Sequence, residues 1–333
     1  MRDITIDMLK IIACLGIVLL HVMILGFDFF AGNNVSAYLY YMGTFSVPLF
    51  FMINGYFLLN KLNLSYKYLT IKIKNILIVV FSWNIILWIM KRDFYSNPIK
   101  KIVGSLLQRG YFFQFWFFGS LIIIYLTLPY LKKLLSNKKN YLRILLLLLG
   151  VGIIIEIINL SVVAEPIQRY IPQTLRLWTW YFYYIVGGYI GGRKELMIKI
   201  KINKYITCFF LIMLFVSPIF LYSVAKSVHH NIFAEYFYDS LFVKILSVGI
   251  FIIFLKLDFS TIKQNYKNTI YHLSALTMGV YILHTYVIKF LVKVIKIGHW
   301  YDTILVFGLT IGISLLISEM IYRIPILKNI IKI

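Results

Sequence analysis

A chain of 333 residues that is 61% hydrophobic and only 14% charged, with a mean hydropathy of +0.84, is too apolar for a water-soluble domain; such domains run closer to half apolar and a quarter charged. The composition predicts an integral membrane protein. The net charge of +22 is scattered between apolar runs along the whole chain, a pattern that argues against nucleic acid as a partner. In chain order, segments long enough to cross a bilayer as helices fall at 6–26, 37–59, 73–90, 115–131, 142–163, 176–192, 203–224, 240–257, 273–295 and 302–322. Ten spans of ~20 residues use ~200 residues and leave loops, with no room for a soluble catalytic domain. The expected fold is all-α, a polytopic transmembrane helix bundle of about ten spans forming one domain, 1–333. With the amino terminus in the cytoplasm, 22 of the 34 Lys and Arg residues fall inside and 12 outside, so both termini are expected to be cytoplasmic. The external segment 91–114 runs against this bias, because it carries Lys91, Arg92, Lys100, Lys101 and Arg109. Part of it is apolar, so an amphipathic or re-entrant helix is expected there.

The first span holds the most informative polar pattern. Lys10 and His21 are eleven positions apart, three helical turns plus about 20°, and so share one face. The rise between them is ~16 Å, which puts one near a membrane surface and the other near the middle. Asp7, three residues before Lys10, is placed to pair with it. Two readings fit: a snorkelling lysine with a satisfied core histidine, or a cationic anchor for an anionic group with a general base deeper in. In the second span, "VPLFFMINGYFLL" sets Asn54 between Pro48 and Gly55, either a structural bend or a kink lining a cavity. Lys72 and Lys74 open the third span, where lysines serve as orientation signals or as phosphate ligands. Trp116 begins the fourth as an interfacial aromatic, and Arg176, before an aromatic cluster at the start of the sixth, is either an interfacial anchor or a sugar-contacting group. Tyr281 and His284 share a face of the ninth, in "VYILH". Glu156 and Glu319 are intramembrane acids suited to a buried cation. Cys14 and Cys208 have no disulfide or zinc spacing, and no set of metal ligands is expected. Walker, dinucleotide-binding, HExxH and nucleophile-elbow motifs are absent from the sequence.

The order of these pieces resembles the acyltransferase-3 family of bacterial membrane acyltransferases, over essentially the whole chain. A basic residue, ten residues and a histidine are matched by Lys10 and His21, and an FFxxSG-like element by "FFMING" at 50–55, with Asn54 in place of Ser. Lys72 and Lys74 stand where arginines are commoner, and "QFWFFGSLIIIYLTLP" is similar to a later element with Gln114 at a frequent histidine position. "VYILH" and the closing "EMIYRIPILK" complete the series. The resemblance implies an O-acyltransferase with acetyl-CoA or another acyl-CoA as donor substrate, a glycan or other hydroxyl acceptor, the lipid bilayer as its surroundings and no permanently bound cofactor. It implies a bacterial plasma membrane, with which the heavy use of Lys, Ile and Asn agrees. Lys10, Lys72 and Lys74 would hold the CoA phosphates, and the Lys10–His21 distance would be spanned by the pantetheine arm. His21 would be the general base or acyl carrier, with Lys10 beside it in the catalytic set. Asn54, Trp116, Arg176, Tyr281 and His284 would contact substrate. The competing class is a transporter or flippase with the polar stripe as its path, although no inverted repeat supports it. An inactive relative acting as a membrane partner in polysaccharide export is a third.

Overall fold

The protein, seen here as a computed structural model, is described over residues 3–26, 34–161, 165–199, 203–230 and 233–333. It is 82% helical, with no strand among the described residues. In order the helices are α1 (Ile4–Met23), α2 (Asn34–Met42), α3 (Ser46–Leu58), α4 (Tyr66–Met90), α5 (Pro98–Leu106), α6 (Trp116–Leu135) and α7 (Lys138–Ser161). There follow α8 (Leu177–Gly191), α9 (Lys194–Lys199), α10 (Lys204–Val224), α11 (Leu241–Lys256), α12 (Gln264–Val294) and α13 (Trp300–Arg323). Each of the ten segments expected from hydropathy contains a helix. Eight are long and apolar enough to cross a membrane. The other two, α8 and α11, have 15 and 16 residues, ~22–24 Å against a hydrocarbon core of ~30 Å.

The ends of the helices follow from their sequences. Asp3, Ser65, Asn97, Asn203 and Ser240 accept the first free amides of α1, α4, α5, α10 and α11, the standard chemistry of an N-cap. His299 and Asp302 form a reciprocal box at the start of α13. Between α2 and α3 the chain passes through a 3₁₀ turn, Gly43–Phe45. Pro48 has no N–H to donate to the Thr44 carbonyl, so one α-helical hydrogen bond is missing where the 3₁₀ turn falls. The irregularity lies before Pro48, and Asn54 itself is in regular helix. Within 91–114, Asn97 and Pro98 start the short α5, and Gly110, at φ +86°, turns the chain back.

In α1, in the 35–58 segment and in α12, 61%, 78% and 67% of the membrane-length window is buried, whereas in α7 only 11% is. The first three therefore form the interior of the bundle, and α7 presents its leucines outward. The closest helix contact joins α3 and α8. A Cβ on Gly55 would stand 1.8 Å from the Tyr184 carbonyl oxygen, and one on Gly187 2.0 Å from that of Met52. Small residues let backbones touch in this way. Gly55→Ala is expected to lower thermal stability in detergent by about 1–3 kcal/mol or more. Gly150→Ala, which meets nothing within 4 Å, should leave melting unchanged. Equal melting of the two variants would contradict this account of the contact.

Contacts between helix ends define two sides. On the amino-terminal side, Lys194 Nζ lies 2.5 Å from Asp3, Ser274 Oγ donates to Asp7 at 2.5 Å, and Lys132 donates to the Lys61 carbonyl. There too His272 and Arg323 converge on Glu319 at 2.6 and 2.7 Å, but both are exposed, so its partners are not the buried cation expected. Glu156 accepts the Leu241 amide at 2.9 Å and lies within electrostatic range of the buried Lys244. On the opposite side, Tyr286 bonds the Tyr111 carbonyl, Gln108 bonds Glu235, and the Ala234 amide bonds Tyr40. Arg2 and Lys201, counted on the amino-terminal side from the sequence, lie outside the described residues.

Candidate active site

A cavity of about 520 Å³ occupies the second side of the bundle. Its wall is built by the last turns of α1, the first turn of α3, the start of α6, the second half of α12 and the loops before α6, α8 and α11. His21 is part of this wall. Its ring meets the edge of Phe113 at 5.5 Å and lies 5.0 Å from the ring of His284. Among the described residues it makes no side-chain hydrogen bond, which leaves both nitrogens for a ligand. The sequence places this histidine near the middle of a span. The structure corrects that depth: α1 begins at Ile4 and ends at Met23, so His21 is in the last turn, ~26 Å along the axis.

Behind His21, His284 is fully buried. Its Nδ1 faces the Val280 carbonyl at 3.2 Å and so donates. Nε2 is then a lone-pair acceptor, and it has no partner. Tyr281, one turn before it, donates to the Gln114 carbonyl. The Gln114 amide donors are spent on helix α12: its Nε2 reaches Thr285 Oγ1 at 2.9 Å and the Ile282 carbonyl at 3.2 Å. Its Oε1 is buried without a partner. Unpaired acceptors in so dry a place are costly unless something donates to them. The cavity thus has an imidazole on its wall and two hydrogen-bond acceptors close behind.

Aromatic residues supply most of the remaining surface. Trp116 lines the cavity, backed by Trp180 at 4.9 Å and Phe51 at 6.5 Å. At the rim Glu235 accepts from Gln108 at 3.0 Å and from Gln173. Arg176 holds the same carboxylate at 3.2 Å and spends its other donors on the carbonyls of Gln168, Ile171 and Glu235.

The structure therefore brings together His21, Trp116 and Tyr281 on one cavity, with His284 in contact behind them. It separates them from the lysines. Lys10 pairs with Asp7 at 3.2 Å, as their spacing predicts, and lies with Lys61 and Lys332 within electrostatic range of Lys72 on the amino-terminal side. Lys72 Nζ also donates to the main-chain oxygen of Ile333 at 3.2 Å. Lys74 is exposed, because two residues on a helix are ~200° apart; it does not share the face of Lys72. Asn54 is in neither group. It bonds the Phe50 carbonyl and accepts from Tyr125, both at 2.9 Å, and so ties α3 to α6. Arg176 belongs to the scaffold of the rim rather than to its lining. Gln108, Gln173 and Glu235, which do line it, carry no pattern in the sequence, since each sits in a turn or a single 3₁₀ turn too short for periodicity.

Comparison with known families finds one match, to a family model described as an acyltransferase domain, over residues 3–323. No curated protein and no solved structure shows a significant match to the chain.

Proposed function

Since the chain belongs to the acyltransferase-3 family and is a multi-pass membrane acyltransferase, we propose that it moves an acyl group, acetyl first among them, from acyl-CoA to a hydroxyl of a cell-envelope glycan in a bacterial plasma membrane. The observation that carries this reading is His21, an imidazole without a protein hydrogen bond on the wall of a cavity large enough for a sugar. An acceptor hydroxyl bonded to it loses its proton to the ring as its oxygen attacks the thioester carbonyl. The carbon–sulfur bond then breaks, and the departing thiolate takes the proton. A neutral imidazole suits both transfers. In the variant of this route in which His21 carries the acyl group, an acyl-imidazole forms first and the hydroxyl attacks that.

The charge bias makes the amino-terminal side cytoplasmic, so the donor phosphates belong with Lys10 and Lys72 and the acceptor with the cavity. The floor of the cavity, at Ile17 and Thr277, is ~10 Å along α1 from Lys10. The pantetheine arm runs along this α1–α12 seam, past Cys14, whose sulfur faces the Thr277 carbonyl at 3.5 Å. The deciding experiment is mass analysis of the surface glycan from cells lacking the chain. Loss of ester-linked acyl groups at unchanged polymer quantity is expected; loss of the polymer itself would favour the transporter.

The donor site has its own test. Lys10→Gln and Lys72→Gln should each weaken acetyl-CoA binding to purified protein at fixed ionic strength by about tenfold, as for a hydrogen bond to a charged group. Lys→Arg should be tolerated at both, because phosphate accepts either cation. Lys74→Gln should change little, since it lies on another face. Unaltered affinity in both glutamine variants would move the donor site elsewhere.

A further inference from the structure

Two of the basic residues that run against the charge bias, Lys91 and Lys101, lie near Tyr111 and Tyr286, beside a lysine of the cavity lining. Lys289, on α12, is part of the cavity lining, and its Nζ lies 4.8 Å from the Tyr286 ring. Lys91, the C-cap of α4, lies 5.5 Å from that same ring and 4.8 Å from the ring of Tyr111. The Tyr286 hydroxyl donates to the Tyr111 carbonyl at 2.8 Å, and the Tyr286 ring is a ledge shared by both ammonium groups. A third lysine, Lys101, also reaches Tyr111, but it is paired with Asp93 at 3.4 Å. The Tyr111 hydroxyl, bonded to Asp93, holds that carboxyl below the usual carboxylate range. Lys91 and Lys289 have no acidic partner among the described residues. The nearby acid of the rim, Glu235, is occupied by Arg176, Gln108 and Gln173.

We propose that Lys91 and Lys289 form an anion subsite at the cavity mouth, and that the acceptor is an acidic glycan bearing a carboxylate or phosphate next to the sugar that is acylated. The inference rests on the acyl-transfer reading of the cavity and names the class of its acceptor. Like charges held within reach of one another repel unless an anion joins them, and here the protein supplies none. Ammonium groups seated on aromatic faces are partly ordered before a ligand arrives. Lys289 stands five residues beyond His284, ~8 Å along α12, so an anion there leaves a neighbouring hydroxyl free to reach His21. A lipid headgroup would carry the same charge, but the position of Lys289 on the cavity wall favours a solute inside it.

The test is equilibrium binding to the purified full chain in zwitterionic detergent. The probes are tetragalacturonate against its methyl ester, and N-acetylglucosamine 6-phosphate against N-acetylglucosamine. At least one charged probe should bind about tenfold more tightly than its neutral partner at low salt, and the preference should fade at 1 M salt, where the Debye length is about 3 Å. Which pair shows it tells carboxylate from phosphate. Lys289→Gln and Lys91→Gln should each remove most of the preference, and Lys289→Arg should keep it. His21→Ala should all but abolish acyl transfer while keeping the ratio of charged to neutral probe affinity, even where both probes bind more weakly, so failure of the acyl-transfer reading and failure of the subsite are separable. No charge preference in either pair, or a preference that survives both glutamine substitutions, overturns the proposal. So does weaker acetyl-CoA binding in those variants, which would assign the cations to the donor. Native mass spectrometry completes the set: loss of bound phosphatidylglycerol from the double variant, with probe binding intact, would assign them to lipid.

Discussion

Replacing His21 by alanine is expected to lower the rate of acyl transfer by about 10²–10⁴-fold, the usual contribution of a positioned general base. The chain should still insert and fold, because the ring makes no side-chain hydrogen bond among the described residues and meets Phe113 and His284 only through ring contacts. The measurement is transfer of labelled acetyl from acetyl-CoA by purified protein, with thermal melting run in parallel. His284→Phe keeps a ring in the buried site while removing both nitrogens. It should cost less than His21→Ala, since His284 stands behind the cavity wall rather than on it. A near-native rate for the alanine variant would remove His21 from the chemistry and send the search to other groups on the wall.

Arg176→Met is expected to produce the largest loss of stability, about 3–5 kcal/mol, the cost of leaving one member of a buried ion pair behind. The guanidinium is 2% exposed and holds three carbonyl oxygens and the Glu235 carboxylate at once. Its removal weakens the link between the segment 165–176 and the loop before α11, which the Gln173–Glu235 and Gln168–Asp239 bonds still join. Adding Glu235→Gln in that background should recover part of the loss, because the stranded charge is gone even though the carbonyls remain unpaired. Arg176→Lys should recover little: an ammonium cannot serve four acceptors in the plane of a fork. Melting of Arg176→Met at the native temperature would mean that this network does not hold the rim.

These two residues also show how far the sequence could be read. His21 stands out because a polar group in an apolar run is conspicuous, and its shared face with Lys10 follows from helical periodicity alone. Arg176 is equally conspicuous beside its aromatic neighbours, yet the expectation that it contacts a sugar and its observed place in the rim scaffold use the same sequence. What separates them is Glu235, which comes from a distant loop with no pattern of its own. Lys72 and Lys74 repeat the lesson on a smaller scale. Both are cations at one helix start, and only packing against the Lys10 face tells which of them turns inward.

The amino-acid sequence by itself determined the helical class, the positions of ten apolar segments, the Asp7–Lys10 pair and the family, because each depends on run length, local periodicity or the order of short motifs. It placed α8 and α11 to within one residue at each end, but it did not determine how helices this short are accommodated in the bundle. Nor did it place His21 at the end of α1, facing His284 from the other end of the chain. The cavity, the ring of partners around Glu235 and the ledge beneath Lys91 and Lys289 were decided only by tertiary structure. Each is assembled from elements far apart in the chain, and contact between such elements depends on how helix faces pack, which local periodicity does not encode.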